Sequence, residues 1–110
     1  MPAPLEGIRV IEWSTWGVGP LTGVMLSDLG AEVIKIEAHQ MGGDPSRHLR
    51  RVVGIVDCQL PHGRNAFFES LNRGKSGITL DLKHPLGKEV VYRLAKNADV
   101  FLENFRPGVA

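Results

Sequence analysis

The stretch IRVIEWSTWGVGPLTGVMLSDLGAEVIKIE, from Ile8 to Glu37, limits the possible folds more than any other part of the chain. Ile8, Val10 and Ile11 form an apolar run. Ser14 to Gly19 break it with a serine and glycines, and Pro20 presets the φ angle of a first helical residue. Leu21, Val24, Met25 and Leu29 recur at helical spacing, and Gly30 stands where a left-handed residue commonly closes a helix. Val33, Ile34 and Ile36 then resume a β-rich composition that ends on an acid, Glu37. The unit reads as strand, helix, strand. The first strand, Ile8 to about Trp13, is apolar on both faces, as expected of a parallel strand covered by helices on both sides.

The whole chain has 110 residues, one domain of ordinary size. Such a chain buries roughly 65% of its unfolded surface without a disulfide or metal staple. Its 43% hydrophobic and 23% charged residues are the composition of a globular protein rather than a disordered one. The formal net charge of +1 argues against a general nucleic-acid or membrane-surface binder, because those carry a strong basic excess. Cys58 is the single cysteine, so no internal disulfide is possible, and no Cys/His spacing points to a metal. It reads as a small packing residue. The N-terminus lacks the charged-then-apolar order of a secretory signal, and no apolar run approaches the roughly 20 residues of a membrane span. A cytoplasmic or organelle-matrix location is expected.

Along the chain, Met1 to Gly7 is a lead-in with two prolines, and Ala38 to Ser76 is a long segment rich in Gly, Pro, His and Arg. A connection of that length without its own secondary structure is usually functional, although Ala66 to Leu71 has the composition for a helical turn. Gly77 to Leu82 reads as a third strand in which Ile78, Leu80 and Leu82 alternate with Thr79 and Asp81. His84 and Pro85 start a helix whose buried stripe is expected at Leu86, Val90, Leu94 and Ala98, with Val91 and Ala95 beside it. Asp99 to Phe105 is the fourth strand candidate. Four strands and two helices make a parallel sheet short of covering helices, so the chain is expected to be the N-terminal piece of a larger protein.

Two chemical readings compete. Gly17, Gly19 and Gly23, with Glu37 beyond them, loosely match a dinucleotide fingerprint, but the spacing is wrong and Pro20 removes an N–H from the place where an anion would bind. The glycines are better assigned to tight turning and helix-to-sheet packing. Arg47, His48, Arg50, Arg51, Arg64, Asn72, Arg73 and Lys75 would suit phosphates, since Arg supplies planar paired donors and Lys a mobile charge. Charge alone fits a solvated loop as well.

The motifs PLEGIRVIEWS, GVGP, LSDLGAEVIKIE, GGDPSR, LNRGKSGITLDLKHPLGKEVVYRL and ADVFLENFRPGV, in this order, resemble class III CoA-transferases, a family that also includes 2-methylacyl-CoA racemases. The resemblance implies a Rossmann-like CoA-binding domain of which residues 1–110 are the N-terminal portion, in a parent that assembles as an interlocked homodimer. It implies transfer of coenzyme A from an acyl-CoA thioester to a carboxylic acid acceptor. In that family an aspartate attacks the thioester and forms a covalent intermediate, which splits one difficult exchange into easier steps. That aspartate lies downstream of ENFRPG, so none of Asp28, Asp44, Asp57, Asp81 or Asp99 inherits the role. No prosthetic group or metal is implied.

Part of a CoA site is implied motif by motif. Gly17 and Val18 correspond to a backbone contact in the turn after the first strand. Leu80, Asp81, Leu82 and Lys83 correspond to the segment lying along the nucleotide, and Asn104, Phe105 and Arg106 to a third contact. Arg73 and Lys75 are candidates for the phosphate field. Two departures remove positive charge: Ala38 stands where some members place an arginine, and a basic pair is reduced to Lys75 followed by Ser76. Arg47, Arg50 and Arg51 are candidate substitutes. Two alternatives to a transferase are a racemase on the same fold and a nucleotide-binding or assembly module without chemistry.

Overall fold

The computed structural model describes residues 2–52 and 56–110. In chain order the elements are β1 (Arg9–Trp13), α1 (Val18–Asp28), β2 (Glu32–Ala38), β3 (Arg51–Val52), β4 (Val56–Asp57), α2 (Ala66–Ser70), β5 (Ser76–Leu80), α3 (Pro85–Lys96) and β6 (Val100–Glu103). β5, β2, β1 and β6 lie side by side in that order as one parallel sheet. This is the expected α/β architecture, and it sets the carboxyl ends of four strands along one edge. Trp13 stands beside Glu103 there, and Ala38 beside Leu80.

β1 and β2 carry the core. Val10, Ile11, Val33 and Ile36 are at most 1% exposed, and Leu5, Ile8, Leu26 and Leu102 pack against part of this cluster. α1 lies on the sheet through small residues: Gly19, Pro20, Gly23 and Val24 are buried. Of the apolar residues at helical spacing, Val24 is the buried one, and Leu21, Met25 and Leu29 are exposed instead. Close approach to the strands selects the glycines, since a Cβ at Gly23 would strike the Glu12 carboxylate. Helix α1 also starts two residues before Pro20, at Val18. Gly30 follows the helix at φ +102, as its position suggested.

The later elements differ in detail from expectation. β5 ends at Leu80 because Asp81 turns the chain, its Oδ1 accepting from the Lys83 amide at 3.0 Å and its carbonyl from the His84 amide at 3.1 Å. His84 caps α3, its Nδ1 accepting from the Leu86 amide at 3.1 Å. Gly87 is the buried residue of α3, packed on the Asp81 backbone; Val90, Val91, Leu94 and Ala98 are half-buried, while Leu86 and Ala95 are exposed. β6 is confined to Val100–Glu103.

The long segment is more structured than its composition suggests. It contains short 3-10 turns at His39–Met41, Pro45–His48 and Pro61–Gly63, the antiparallel β3–β4 pair, and α2, capped by Asn65. Its residues 53–55 lie outside the described residues. Cys58 is 2% exposed, with its backbone bonded to Arg50 and Ala66. Among the described residues no helix is long and apolar enough to cross a membrane.

Candidate functional site

At the carboxyl edge of the sheet, the turn from Ser14 to Val18 is held from two sides. The Asn104 side chain, just past β6, grips Thr15 by both backbone groups: Oδ1 accepts from the Thr15 amide at 3.2 Å and Nδ2 donates to its carbonyl at 2.9 Å. From the β2 side, Asp44 Oδ1 accepts from the Trp16 amide at 3.2 Å. Trp16 adopts φ 67, a left-handed conformation unusual for a bulky residue, and its side chain is exposed. Gly17 caps α1 without a side-chain hydrogen bond, and Val18 is 78% exposed. The turn therefore presents the first amides of α1, which lack intrahelical partners, at the sheet edge.

Phe105 follows Asn104 with its ring 4.8 Å from that of Trp13, and Arg106 is exposed beyond it. Leu80, Asp81, Leu82 and Lys83 leave β5 at the same edge. Three inter-strand spacings, roughly 14 Å, separate them from β6. Leu80 and Leu82 are half-buried and Lys83 is exposed. The Asp81 carboxyl sits below the usual range, chiefly through the Lys83 amide and also through Gln40, whose Nε2 donates to it. The structure thus brings Gly17, Val18, Leu80 to Lys83 and Asn104 to Arg106 to one edge.

It does not bring the other two candidates there. Arg73 precedes β5 and lies at the opposite end, paired at 2.7 Å with Asp28, the last residue of α1. Lys75 points inward: its side chain is 2% exposed, and its amine lies 2.7 Å from Glu12 Oε1 and 2.9 Å from the Pro20 and Leu71 carbonyls and Asn72 Oδ1. Burial pulls the Lys75 pKa below the ordinary lysine value, while Glu12 pulls it back upward.

Lys75 belongs to a buried ionic network that sequence reasoning missed. Glu12 of β1 and Lys35 of β2 stand at the same register, 3.0 Å apart, and Lys35 also reaches Asp44 Oδ2 at 2.9 Å and the Ser14 carbonyl at 3.0 Å. Ser14 donates its hydroxyl to Glu12 at 2.9 Å. Next along β2, Glu37 accepts from the Asp44 amide at 2.7 Å and from Arg47 Nε and Nη2 at 2.8 and 2.6 Å. Burial would raise the Glu37 and Asp44 pKa values, but Arg47 and the Asp44 amide for the first, and the Ser46 amide and Lys35 for the second, hold both carboxyls below their ordinary range. The available signal was a pair of opposite charges, Glu12 in a first strand read as apolar on both faces and Lys35 inside the β-rich second strand.

The remaining basic residues of the long segment are divided. Arg47 is tied to Glu37 and lies over the Phe68 ring at 3.8 Å, and Arg64 is paired with Glu69 at 2.6 Å. Arg50 lines, with both of them, an open cavity of about 390 Å³. Among the described residues no three His, Cys, Asp or Glu side chains form a group able to hold a metal.

An open parallel α/β sheet with its turns converging at the strand carboxyl ends defines a class of ligand-binding domains, in which that edge takes the ligand. Within that class, the family model described as CoA-transferase family III matches residues 5–110, and the chain belongs to that family. It is 42% identical over 107 residues to the succinyl-CoA–D-citramalate CoA-transferase of Chloroflexus aurantiacus, covering 97% of this chain and 25% of that protein. It is 45% identical to the succinate–glutarate CoA-transferase of Agrobacterium fabrum, covering 97% and 26%. A crystal structure of a CAIB/BAIF family protein from Brucella suis superposes with a TM-score of 0.81 at 39% identity, covering 98% of this chain and 27% of that one. The chain spans about a quarter of the length of the curated relatives it matches.

Proposed function

We propose that the protein acts as a CoA-transferase, moving coenzyme A from an acyl-CoA thioester to a carboxylic acid through a covalent aspartyl intermediate whose aspartate lies outside residues 1–110. The observation that carries this reading is the meeting of three family motifs at one sheet edge. Gly17 and Val18 offer backbone amides, Leu80 and Leu82 apolar surface, Lys83 and Arg106 exposed charge for phosphates, and Asp81, Asn104 and Phe105 fix the loops between them. Arg73 and Lys75 stay outside this site, the first by its position and the second by its buried partners. Residues 1–110 then form the front of a CoA-binding domain, without catalytic residues of their own. The working protein is an interlocked homodimer in the cytoplasm, and coenzyme A enters as substrate rather than as a resident cofactor.

The test is thioester exchange by the full-length protein, supplied with acyl-CoA donors and acids such as succinate, glutarate and oxalate and followed by mass spectrometry. A new CoA thioester, with hydroxylamine trapping one aspartate as a hydroxamate, is the expected result. Epimerisation of a 2-methylacyl-CoA without exchange would establish the racemase instead, and CoA binding without either reaction the non-catalytic module.

A further inference from the structure

Trp16 is an exposed aromatic residue in a left-handed backbone conformation that bulky residues resist, directly before the Gly17–Val18 turn. Something must hold it there. Asp44 is 1% exposed and engaged on both carboxylate oxygens: Oδ1 accepts from the Ser46 amide at 2.9 Å, the Ser46 hydroxyl at 2.8 Å and the Trp16 amide at 3.2 Å, while Oδ2 is ion-paired with Lys35 at 2.9 Å. Its own amide is fixed by Glu37 at 2.7 Å, so Asp44 is anchored to β2 before it reaches the turn. We propose that Asp44 is a positioning residue that locks Trp16 in its left-handed conformation and so aims the Gly17–Val18 amides at the ligand. This inference rests on the reading that the turn contacts CoA. Asn104, from the opposite side, holds the Thr15 carbonyl, so the planar Thr15–Trp16 peptide is gripped at its oxygen by Asn104 and at its N–H by Asp44, and the Asp44 bond is the one that reaches Trp16 itself.

Two substitutions in the full-length protein separate positioning from general stability. Asp44→Ala removes the acceptor for the Trp16 amide. Asp44→Asn keeps an amide oxygen facing its three donors but loses the charge opposite Lys35. Asp44→Ala is expected to weaken CoA binding and raise the acyl-CoA KM roughly tenfold, with a smaller change in kcat. Asp44→Asn should lower the Tm yet bind CoA within about twofold of wild type. Wild-type CoA affinity in Asp44→Ala overturns the proposal, and so does an Asp44→Asn loss as large as the alanine's. Where Asp44→Ala does not fold, amide hydrogen exchange in the unliganded wild-type protein decides. The Trp16 amide should be protected while those of Gly17 and Val18 exchange fast; fast exchange at Trp16 overturns the lock. A wild-type protein that binds no CoA counts against the site, and exchange at Trp16 then still decides the role of Asp44.

Discussion

Lys75 and Lys83 lie either side of the same short strand, and they do opposite things. Lys75 turns under α1 into a site with 2% side-chain exposure and four oxygen partners, whereas Lys83 leaves the end of β5 into solvent beside a carboxylate that bonds only its backbone. The first cation completes the interior that holds the turn after β1, and the second is available to a ligand. Around them the contrast extends to whole regions: Glu12, Lys35, Lys75 and Asp44 form a fixed interior network, and Lys83 and Arg106 an exposed rim. The lesson is that a basic residue near a binding edge serves the ligand only when burial has not already committed it. A buried ammonium finds its counter-charges in the protein or is not tolerated.

The comparison breaks most visibly if the interior can be dismantled at little cost. Lys35→Met leaves the Asp44 carboxylate buried without a counter-ion and should destabilise the full-length protein by about 3 to 5 kcal/mol in denaturant unfolding. A loss below 1 kcal/mol, the upper range of an exposed pair at about 0 to 1 kcal/mol, would place the network among ordinary surface bridges. Gly23→Ala comes next. In an exposed helix interior this change stabilises, but here the new methyl meets the Glu12 carboxylate and Lys75 Cε, so a loss of about 1 to 3 kcal/mol is expected from the same measurement.

Acid sharpens the contrast further. Glu37 and Asp44 have folded-state pKa values below the unfolded references of 4.5 and 3.8. Their contribution to stability is therefore complete above those references and is lost as pH falls through the lower folded-state values. Arg47→Gln removes the partner that holds Glu37 down, so the acid limb of the stability profile should move to higher pH. An unmoved limb would show that Arg47 does not set the Glu37 titration.

The strand–helix–strand order, the parallel sheet and the α3 cap were legible because each rests on local patterns, whether apolar runs, a Pro after a capping residue, or a Gly in a left-handed position. The buried face of α1 was legible only at Val24, because the sheet selects small residues beside it and leaves Leu21, Met25 and Leu29 outside. Three segments of the proposed site were legible as motifs. What those motifs could not convey was direction: nothing local distinguishes Lys75 from Lys83, or tells that the Asn104 amide spends both its oxygen and its nitrogen on Thr15. Those outcomes depend on contacts between residues far apart in sequence.

The smallest effects on stability and the most direct test of the account lie at the rim, in CoA titrations of two full-length variants by calorimetry. Lys83→Ala and Arg73→Ala each remove one exposed basic residue, and each should change stability by no more than about 0.5 kcal/mol. Lys83→Ala is expected to weaken CoA binding several-fold, while Arg73→Ala, at the far end of the sheet, leaves it unchanged. Weakened binding in Arg73→Ala with none in Lys83→Ala would contradict the assignment of the ligand to the carboxyl edge.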